Sequence, residues 1–145
     1  VLPFALKVTN LKQQAARTND KETWNKLGDG YFEMDIFNEA AQMYKKSLSA
    51  DSMQHMVRLK RALALQKNLQ IYTAIEEVQS VLAKEPKHLY ANYYMGKFLA
   101  YDLKNREEAK IFFIKAKNAL ISQKDSFGYL EYTNLLSDIT KELGE

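Results

Sequence analysis

Small and large apolar residues recur along this chain with a period of 34 residues. If the first repeat begins at residue 21, the next two begin at residues 55 and 89. The eighth position of each repeat is then small and the eleventh is large and apolar: Gly28, Ala62 and Gly96, then Tyr31, Leu65 and Leu99. A period of this length is the signature of an array of stacked structural repeats, and it constrains the fold more than any other feature of the chain.

Within each repeat, the apolar residues follow the three- and four-residue spacing of α-helices. Position twenty is also small in Ala40 and Ala74, and Ala109 follows one residue late in the third repeat. Small residues allow close approach where two antiparallel helices cross, and one helix pair cannot bury its apolar face without a neighbour. Because the chain has two prolines, five glycines and no strand-like alternation, we expect an all-α fold.

The first repeat resembles the tetratricopeptide repeat family through Trp24, Leu27, Gly28, Tyr31, Ala40 and Tyr44. The third resembles it through Met95, Gly96, Leu99, Ala109, Phe113 and Ala116, with one extra residue placed in the turn near Lys104 and Asn105. The second repeat departs from the pattern because Arg58 and Arg61 stand where large apolar residues are expected. We therefore expect its first helix to be rotated, shifted by one residue or locally irregular.

The resemblance implies a right-handed α-solenoid of about three helix pairs within a single repeat domain, residues 1–145. We expect repeats at 21–54, 55–88 and 89–122, after a flanking helix at 3–17. A capping helix at 126–143 carries the apolar residues Phe127, Leu130, Leu136, Ile139 and Leu143. A fragment cut from a longer array would have the same pattern.

The composition excludes several classes of protein. The chain is 46% hydrophobic and 27% charged, which is typical of a globular protein, and it has no cysteine for a disulfide or a thiolate site. Its net charge of +3 comes from 21 basic residues mixed with 18 acidic ones, a balance that predicts a solvated surface. We expect a soluble domain in the cytoplasm or periplasm, with any targeting segment missing from this sequence.

No catalytic or metal-binding pattern accompanies the repeats. His55 and His88 are the only histidines, and each lies near the start of a predicted helix, where an exposed polar residue is ordinary. There is no phosphate-binding glycine loop, serine elbow or two-histidine zinc motif. We therefore predict that the protein is not an enzyme and that it needs no cofactor, metal or small-molecule substrate.

The resemblance implies a concave groove lined by the first helix of each repeat. The corresponding residues are Asn25 and Asp29, then Met56, Leu59 and Leu63, then Tyr90, Tyr93 and Lys97, with Tyr101 one turn further on. The alternative is that several of them pack between helices or under the terminal helix. Some family members clamp a terminal carboxylate with lysine and asparagine, but Asn25 and Asp29 occupy those two positions here, so we do not expect that function.

We expect an adaptor or scaffold that takes a peptide segment or helix of another protein into this groove. One rival is homo-oligomerisation through the exposed face of a terminal helix. A second rival is nucleic-acid association through Arg58, Lys60, Arg61 and the basic residues of the third repeat, with tyrosines beside them. The same basic residues can instead mark solvated outer surfaces, or Arg58 or Arg61 can face the groove and meet an acidic partner.

Overall fold

The computed structural model describes residues 2–145, with side chains from residue 5 onward, and that part of the chain is all helical. It contains eight α-helices and no strand. The helices are α1 (Leu2–Thr18), α2 (Lys21–Glu33), α3 (Phe37–Ala50), α4 (His55–Lys67), α5 (Ile71–Lys84), α6 (Leu89–Lys97), α7 (Arg106–Ser122) and α8 (Tyr129–Glu142). A π-helical segment, Phe98–Asp102, extends α6, and a 3-10 turn, Lys124–Ser126, precedes α8.

The chain forms two compact units, an N-terminal unit (Val1–Glu77) and a C-terminal unit (Val78–Glu145), which divide within α5. The N-terminal unit contains the α2–α3 pair, and the C-terminal unit contains the α6–α7 pair. The single domain expected from the sequence stays a prediction. Within residues 2–145, no helix is both long and apolar enough to cross a membrane.

The first helices of the three repeats begin at the residues that the period indicates, Lys21, His55 and Leu89. Side chains before two of them cap the free amides of the first turn. The carboxylate of Asp20 accepts a hydrogen bond from the Thr23 amide at 3.3 Å, and Nδ1 of His88 accepts one from the Ala91 amide at 3.2 Å. Such caps satisfy donors that a helix start would otherwise leave unpaired. His88 therefore has a structural role as a cap.

The two complete helix pairs cross at a glycine in the same way. A Cβ atom at Gly28 would lie 2.5 Å from Cε1 of Tyr44, and one at Gly96 would lie 2.6 Å from Cε1 of Phe113. Both rings are buried. Position eight is small because the aromatic ring of the second helix fills the space that a side chain would need.

The N-terminal flanking helix belongs to the core of its unit. Val8 and Ala15 of α1 are buried in one cluster with Trp24, Leu27 and Met43. The Trp24 indole also donates a hydrogen bond to Oδ1 of Asn19 at 3.0 Å, so its polar edge is satisfied at the α1–α2 turn. Helix α1 therefore covers an apolar face of α2.

The extra residue of the third repeat lies in the helix, not in the turn near Lys104 and Asn105 where we expected it. Three residues separate the paired helices in each repeat, and the middle one has a positive φ: Asp35, Leu69 and Lys104. In the first two repeats, a closing hydrogen bond spans five residues, Ile36 to Tyr31 and Gln70 to Leu65, whereas the third spans six, Asn105 to Leu99. The π-helical segment contains the added residue, as such bulges do.

The first helix of the second repeat is regular and follows the register of the 34-residue period, so it is not rotated, shifted or irregular as we expected. Ala62 and Leu65 at positions eight and eleven are buried. The guanidinium groups of Arg58 and Arg61 lie 3.5 Å and 3.3 Å from the carboxylate of Glu77 in α5. All three side chains are mostly buried, so these arginines are not part of a solvated outer surface. An ion pair thus stands at the two positions where the first repeat has Trp24 and Leu27.

Candidate partner-binding surface

The predicted groove residues of the N-terminal unit lie on α2 and α4, and polar contacts join the two helices. Nδ2 of Asn25 donates a hydrogen bond to Oε1 of Gln54, immediately before α4, at 3.1 Å. The Lys60 ammonium donates to both carboxylate oxygens of Asp29, at 3.1 Å and 3.3 Å. These contacts place α2 and α4, the first helices of the first two repeats, side by side within this unit.

Asp29 also accepts a hydrogen bond from the Tyr44 hydroxyl at 2.5 Å. Burial raises the pKa of Tyr44 above its usual range, and the neighbouring Asp29 carboxylate raises it further. The Asp29 charge is therefore balanced by Lys60 and by a phenol that stays protonated. A partner approaching this point meets a compensated polar group and not a free negative charge.

A cavity of about 250 Å³ opens beside this group and is lined by Asp29, Phe32, Glu33, Tyr44, Lys60 and Leu63. Its walls combine apolar side chains with a polar end, which is typical of a ligand-binding pocket. A second cavity, of about 260 Å³, shares Asp29 and Glu33 and extends toward Val8 and Leu11 of α1. Asp29 and Glu33, one turn apart on α2, therefore line both cavities.

Only part of the predicted set is available at this surface. Leu63 lines the cavity, and Met56 is 46% exposed. Leu59 is 1% exposed and packs in the core, so it must be removed from the candidate surface. The sequence reasoning missed Phe32 and Lys60 because it carried over fixed family positions. We call Asn25, Asp29, Met56, Lys60 and Leu63 the N-terminal surface.

The predicted residues of the C-terminal unit form a second surface, made of Tyr90, Tyr93, Lys97 and Tyr101, which we call the C-terminal surface. The Lys97 ammonium lies 5.7 Å from the ring centre of Tyr93 and 5.0 Å from that of Tyr101. A cation at this distance is attracted to an aromatic face. Helix α6 and the π-helical segment together supply these groups.

The tyrosines of α6 are partly supported by the core. The Tyr93 ring packs at 6.1 Å from Phe113, and the Tyr90 ring stacks at 6.4 Å on Tyr94. Burial raises the pKa of Tyr93 to about 12, with smaller contributions from the acidic residues Asp138 and Glu142 of α8. Tyr93 is therefore both a packing residue and a member of the surface.

The terminal helix lies beside the C-terminal surface, as the alternative interpretation of the sequence expected. The Tyr101 hydroxyl donates one shared hydrogen bond to the Glu142 carboxylate, whose two oxygens lie 2.7 Å and 3.0 Å away. Arg106 at the start of α7 donates to the same carboxylate at 3.4 Å and lies 4.8 Å from the Tyr101 ring. A carboxylate of the chain itself thus occupies part of this surface.

No cluster with the ligands of a metal ion occurs among the residues that the structure describes. The arrangement offers cavities, aromatic rings and paired charges, which are the elements of a binding surface.

Neither the family models nor the curated proteins searched contain a match to this chain. Solved structures do match it in fold. The crystal structure of the MamA protein superposes with a TM-score of 0.71 at 20% identity, covering 98% of this chain and 80% of MamA. The Sgt2 TPR domain from Aspergillus fumigatus gives 0.66 at 18% identity over 86% of this chain and 80% of its own.

A third structure, the first TPR of Spaghetti (RPAP3) bound to an HSP90 peptide, has a TM-score of 0.65 at 21% identity. It covers 87% of this chain and 97% of that domain. At these identities the similarity establishes the fold, which the helix starts and glycine crossings support independently. The chain has the fold of the tetratricopeptide repeat domains.

Proposed function

We propose that the protein is an adaptor that holds a peptide segment or a helix of a partner protein on the first-helix faces of its repeats. The observation that carries this proposal is the cavity beside Asp29 and Lys60, where apolar walls meet a fixed polar end. An apolar side chain of a partner gains free energy by burial there, and the polar end orients the segment. Peptide binding by RPAP3, a protein of the same fold, supports the same class of function.

The N-terminal surface suits an apolar anchor beside a polar or basic group. Phe32 and Leu63 supply the apolar wall, while the exposed carboxylate of Glu33 makes no hydrogen bond or ion pair within the described part of the chain. The Asp29–Lys60 pair leaves little free positive charge for a terminal carboxylate. We therefore do not propose the carboxylate-clamp function for this unit.

The C-terminal surface suits a partner with polar or acidic groups. Lys97 provides a cation, and the tyrosine rings provide area that can be buried while each hydroxyl keeps a hydrogen bond. Aromatic and cationic residues of this kind are enriched among the residues that dominate binding energy at protein interfaces.

The rivals have less support. Arg58 and Arg61 are paired with Glu77, Lys60 with Asp29, and Arg106 with Glu142, so several cations needed for nucleic-acid binding are already compensated. Homo-oligomerisation stays an alternative because Tyr129 and Leu130 of the terminal helix are 82% and 72% exposed. Light scattering over a range of concentrations distinguishes a dimer from an adaptor that acts as a monomer.

Affinity capture from the source cell tests the proposal. Lys97→Glu reverses a charge on the C-terminal surface, and Leu63→Gln adds a polar group to the N-terminal cavity. Lys110→Glu is the matched control because Lys110 is exposed on α7 and makes no ion pair within the described residues. We expect each surface variant to lose the partner by about tenfold or more while the control retains it. Equal recovery by all three variants would refute the proposal.

A further inference from the structure

Polar side chains of the C-terminal unit bind the carboxylate of Glu142 as they would bind the carboxylate of a partner protein. The two Glu142 oxygens share the hydrogen bond from the Tyr101 hydroxyl, and Arg106 approaches one of them at 3.4 Å. The Glu142 side chain is 12% exposed, whereas that of Arg106 is 56% exposed. The acid is therefore enclosed, while part of the group that holds it stays open to solvent.

Helix α8 is attached to its unit mainly near its C-terminal end. Among residues 129–142, Ile139 alone is buried, and Glu142 lies three residues later on the same face. Glu145 adds an ion pair with Lys117, at 2.6 Å. Ile139 and Glu142 on α8, and Glu145 beyond its last residue, therefore attach the C-terminal end of the helix.

The N-terminal half of α8 has no fully buried side chain, although Tyr132 and Leu135 are half-buried. Tyr129 and Leu130 are largely exposed, and Leu130 had been expected in the buried face of a capping helix. The connection from α7, residues 123–126, is exposed, and a Cβ at Gly128 would have no described heavy atom within 4 Å beyond its immediate neighbours. A helix held by one fully buried side chain, a few half-buried ones and surface polar contacts opens at a lower free energy than the core.

Helix α8 and the surface on which it lies, which we call the receiving side, carry complementary charges. Lys97 and Arg106 lie on the receiving side, and Asp138 and Glu142 lie on α8 close enough to Tyr93 to raise its pKa. The apolar anchor Ile139 sits between these two acids in sequence. The receiving side therefore fits an amphipathic helix with an isoleucine followed, three residues later, by a glutamate.

We propose that the surface formed by Tyr93, Lys97, Tyr101 and Arg106 is a binding site for an acidic amphipathic helix of a partner protein. Helix α8 is its resident occupant, and a partner helix carrying the Ile-x-x-Glu pattern displaces it. This inference rests on the proposed adaptor function and names the chemistry of the partner at the C-terminal surface. Because α8 is covalently linked, its effective concentration suppresses binding of a competitor until α8 opens.

A peptide copying residues 129–145, labelled with a fluorophore, tests the site in trans on the full chain. In the protein, Glu142→Lys places a positive charge on α8, which Lys97 and Arg106 repel, so the attachment of α8 is weakened. The residues of the receiving side are unchanged. By fluorescence anisotropy, we expect this variant to bind the peptide about tenfold more tightly than wild type does. Asp125→Lys is the matched control, because Asp125 is exposed and unpaired within the described residues; it should behave as wild type does.

The specificity of the site is tested with a second peptide in which the residue equivalent to Glu142 is lysine. This peptide should not bind the Glu142→Lys protein measurably better than it binds wild type. Equal affinity of the two peptides, or no gain for the variant over the Asp125→Lys control, would overturn the inference.

Hydrogen exchange distinguishes an occupant from a core helix. In Glu142→Lys we expect faster deuterium uptake in residues 129–145 and unchanged uptake in α6 and α7. Uptake that rises in all three helices would mean that α8 is part of the core, and the inference would fail. A concentration-dependent dimer of the wild-type chain in sedimentation velocity would also overturn it, because the occupant would then be α8 of a second copy.

These measurements do not need the native partner. If the peptide fails to bind but Lys97→Glu still abolishes capture of the partner, only the inference about α8 is lost. If Lys97→Glu and Leu63→Gln leave capture intact, the adaptor proposal itself is lost, whatever the peptide does.

Discussion

Tyr44 contacts both the crossing point of the first helix pair and its polar surface. Its ring fills the space above Gly28, and its hydroxyl donates to Asp29, the next residue of α2. One side chain of α3 therefore sets how closely the helices approach and how Asp29 is oriented. The packing of this repeat and the chemistry of the N-terminal surface are linked through it.

Replacing Gly28 with alanine should destabilise the protein. The added Cβ would lie 2.5 Å from the Tyr44 ring, which is itself buried, so the helices must separate. We expect a loss of about 1–3 kcal/mol in the free energy of unfolding, measured by urea denaturation. Gly128→Ala is the control, since that position is open, and it should change stability little. Equal stability of the two variants would contradict the crossing geometry.

The stability of the protein should fall at alkaline pH because of Tyr44. Its pKa is raised in the folded state, so the folded protein keeps a proton that the unfolded chain loses near pH 10. This contribution is complete below about pH 10 and is lost as the pH rises further, by up to about 1.4 kcal/mol per pH unit. Tyr44→Phe should have a shallower decline in denaturation measured from pH 8 to 11. Parallel curves would show that Tyr44 ionises equally in both states.

Leu69→Gly should stabilise the protein. Leu69 has a φ of +63° in the turn after α4 and is 91% exposed, so its side chain adds backbone strain and gains little packing. Glycine adopts this conformation without the steric penalty, and we expect a gain of about 1 kcal/mol, observed as a higher melting temperature. Leu69→Ala keeps the strain and is the control, so a similar gain in both variants would point to the exposed side chain.

Glu77→Gln should be one of the most damaging single changes in the N-terminal unit. It leaves the largely buried guanidinium groups of Arg58 and Arg61 without their countercharge. Removing one partner of a buried ion pair costs about 3–5 kcal/mol, and partial exposure here places the expected loss near the lower value. Glu107→Gln, at an exposed and unpaired position among the described residues, should lower the free energy of unfolding by only about a few tenths of a kcal/mol. Thermal denaturation of both variants measures the difference.

The sequence was sufficient to predict the fold because the repeat pattern records contacts within each helix pair. Gly28 and Gly96 are small for the same packing reason, and the period gave the helix starts at Lys21, His55 and Leu89. Leu59 was misassigned because a one-residue difference around a helix axis decides between surface and core. Helix α4 carries apolar residues at 56, 57, 59 and 62–65, so their spacing alone does not separate its buried face from its exposed one.

The polar contacts could not be predicted in the same way. Arg58 and Arg61 are 19 and 16 residues from Glu77, a separation that a helical period alone does not connect. The attachment of Glu142 to Tyr101 spans 41 residues and depends on the route of the chain between α7 and α8. Pairings of this kind follow from tertiary packing, so the sequence indicated the binding face but not what already lies on it.

The π-helical segment changes which side chains the third repeat presents. Gly96 and Phe113 are 17 residues apart, and Gly28 and Tyr44 are 16 apart, yet both pairs make the same contact. The added residue is absorbed before the turn, so α7 keeps its alignment with α6. An extra residue rotates the positions that follow it by about 100° around a helix axis. A single inserted residue can therefore redirect a side chain such as Tyr101 without disturbing the packing of the helix pair. Repeats of this kind can thus acquire a new binding specificity while their helices keep the same arrangement.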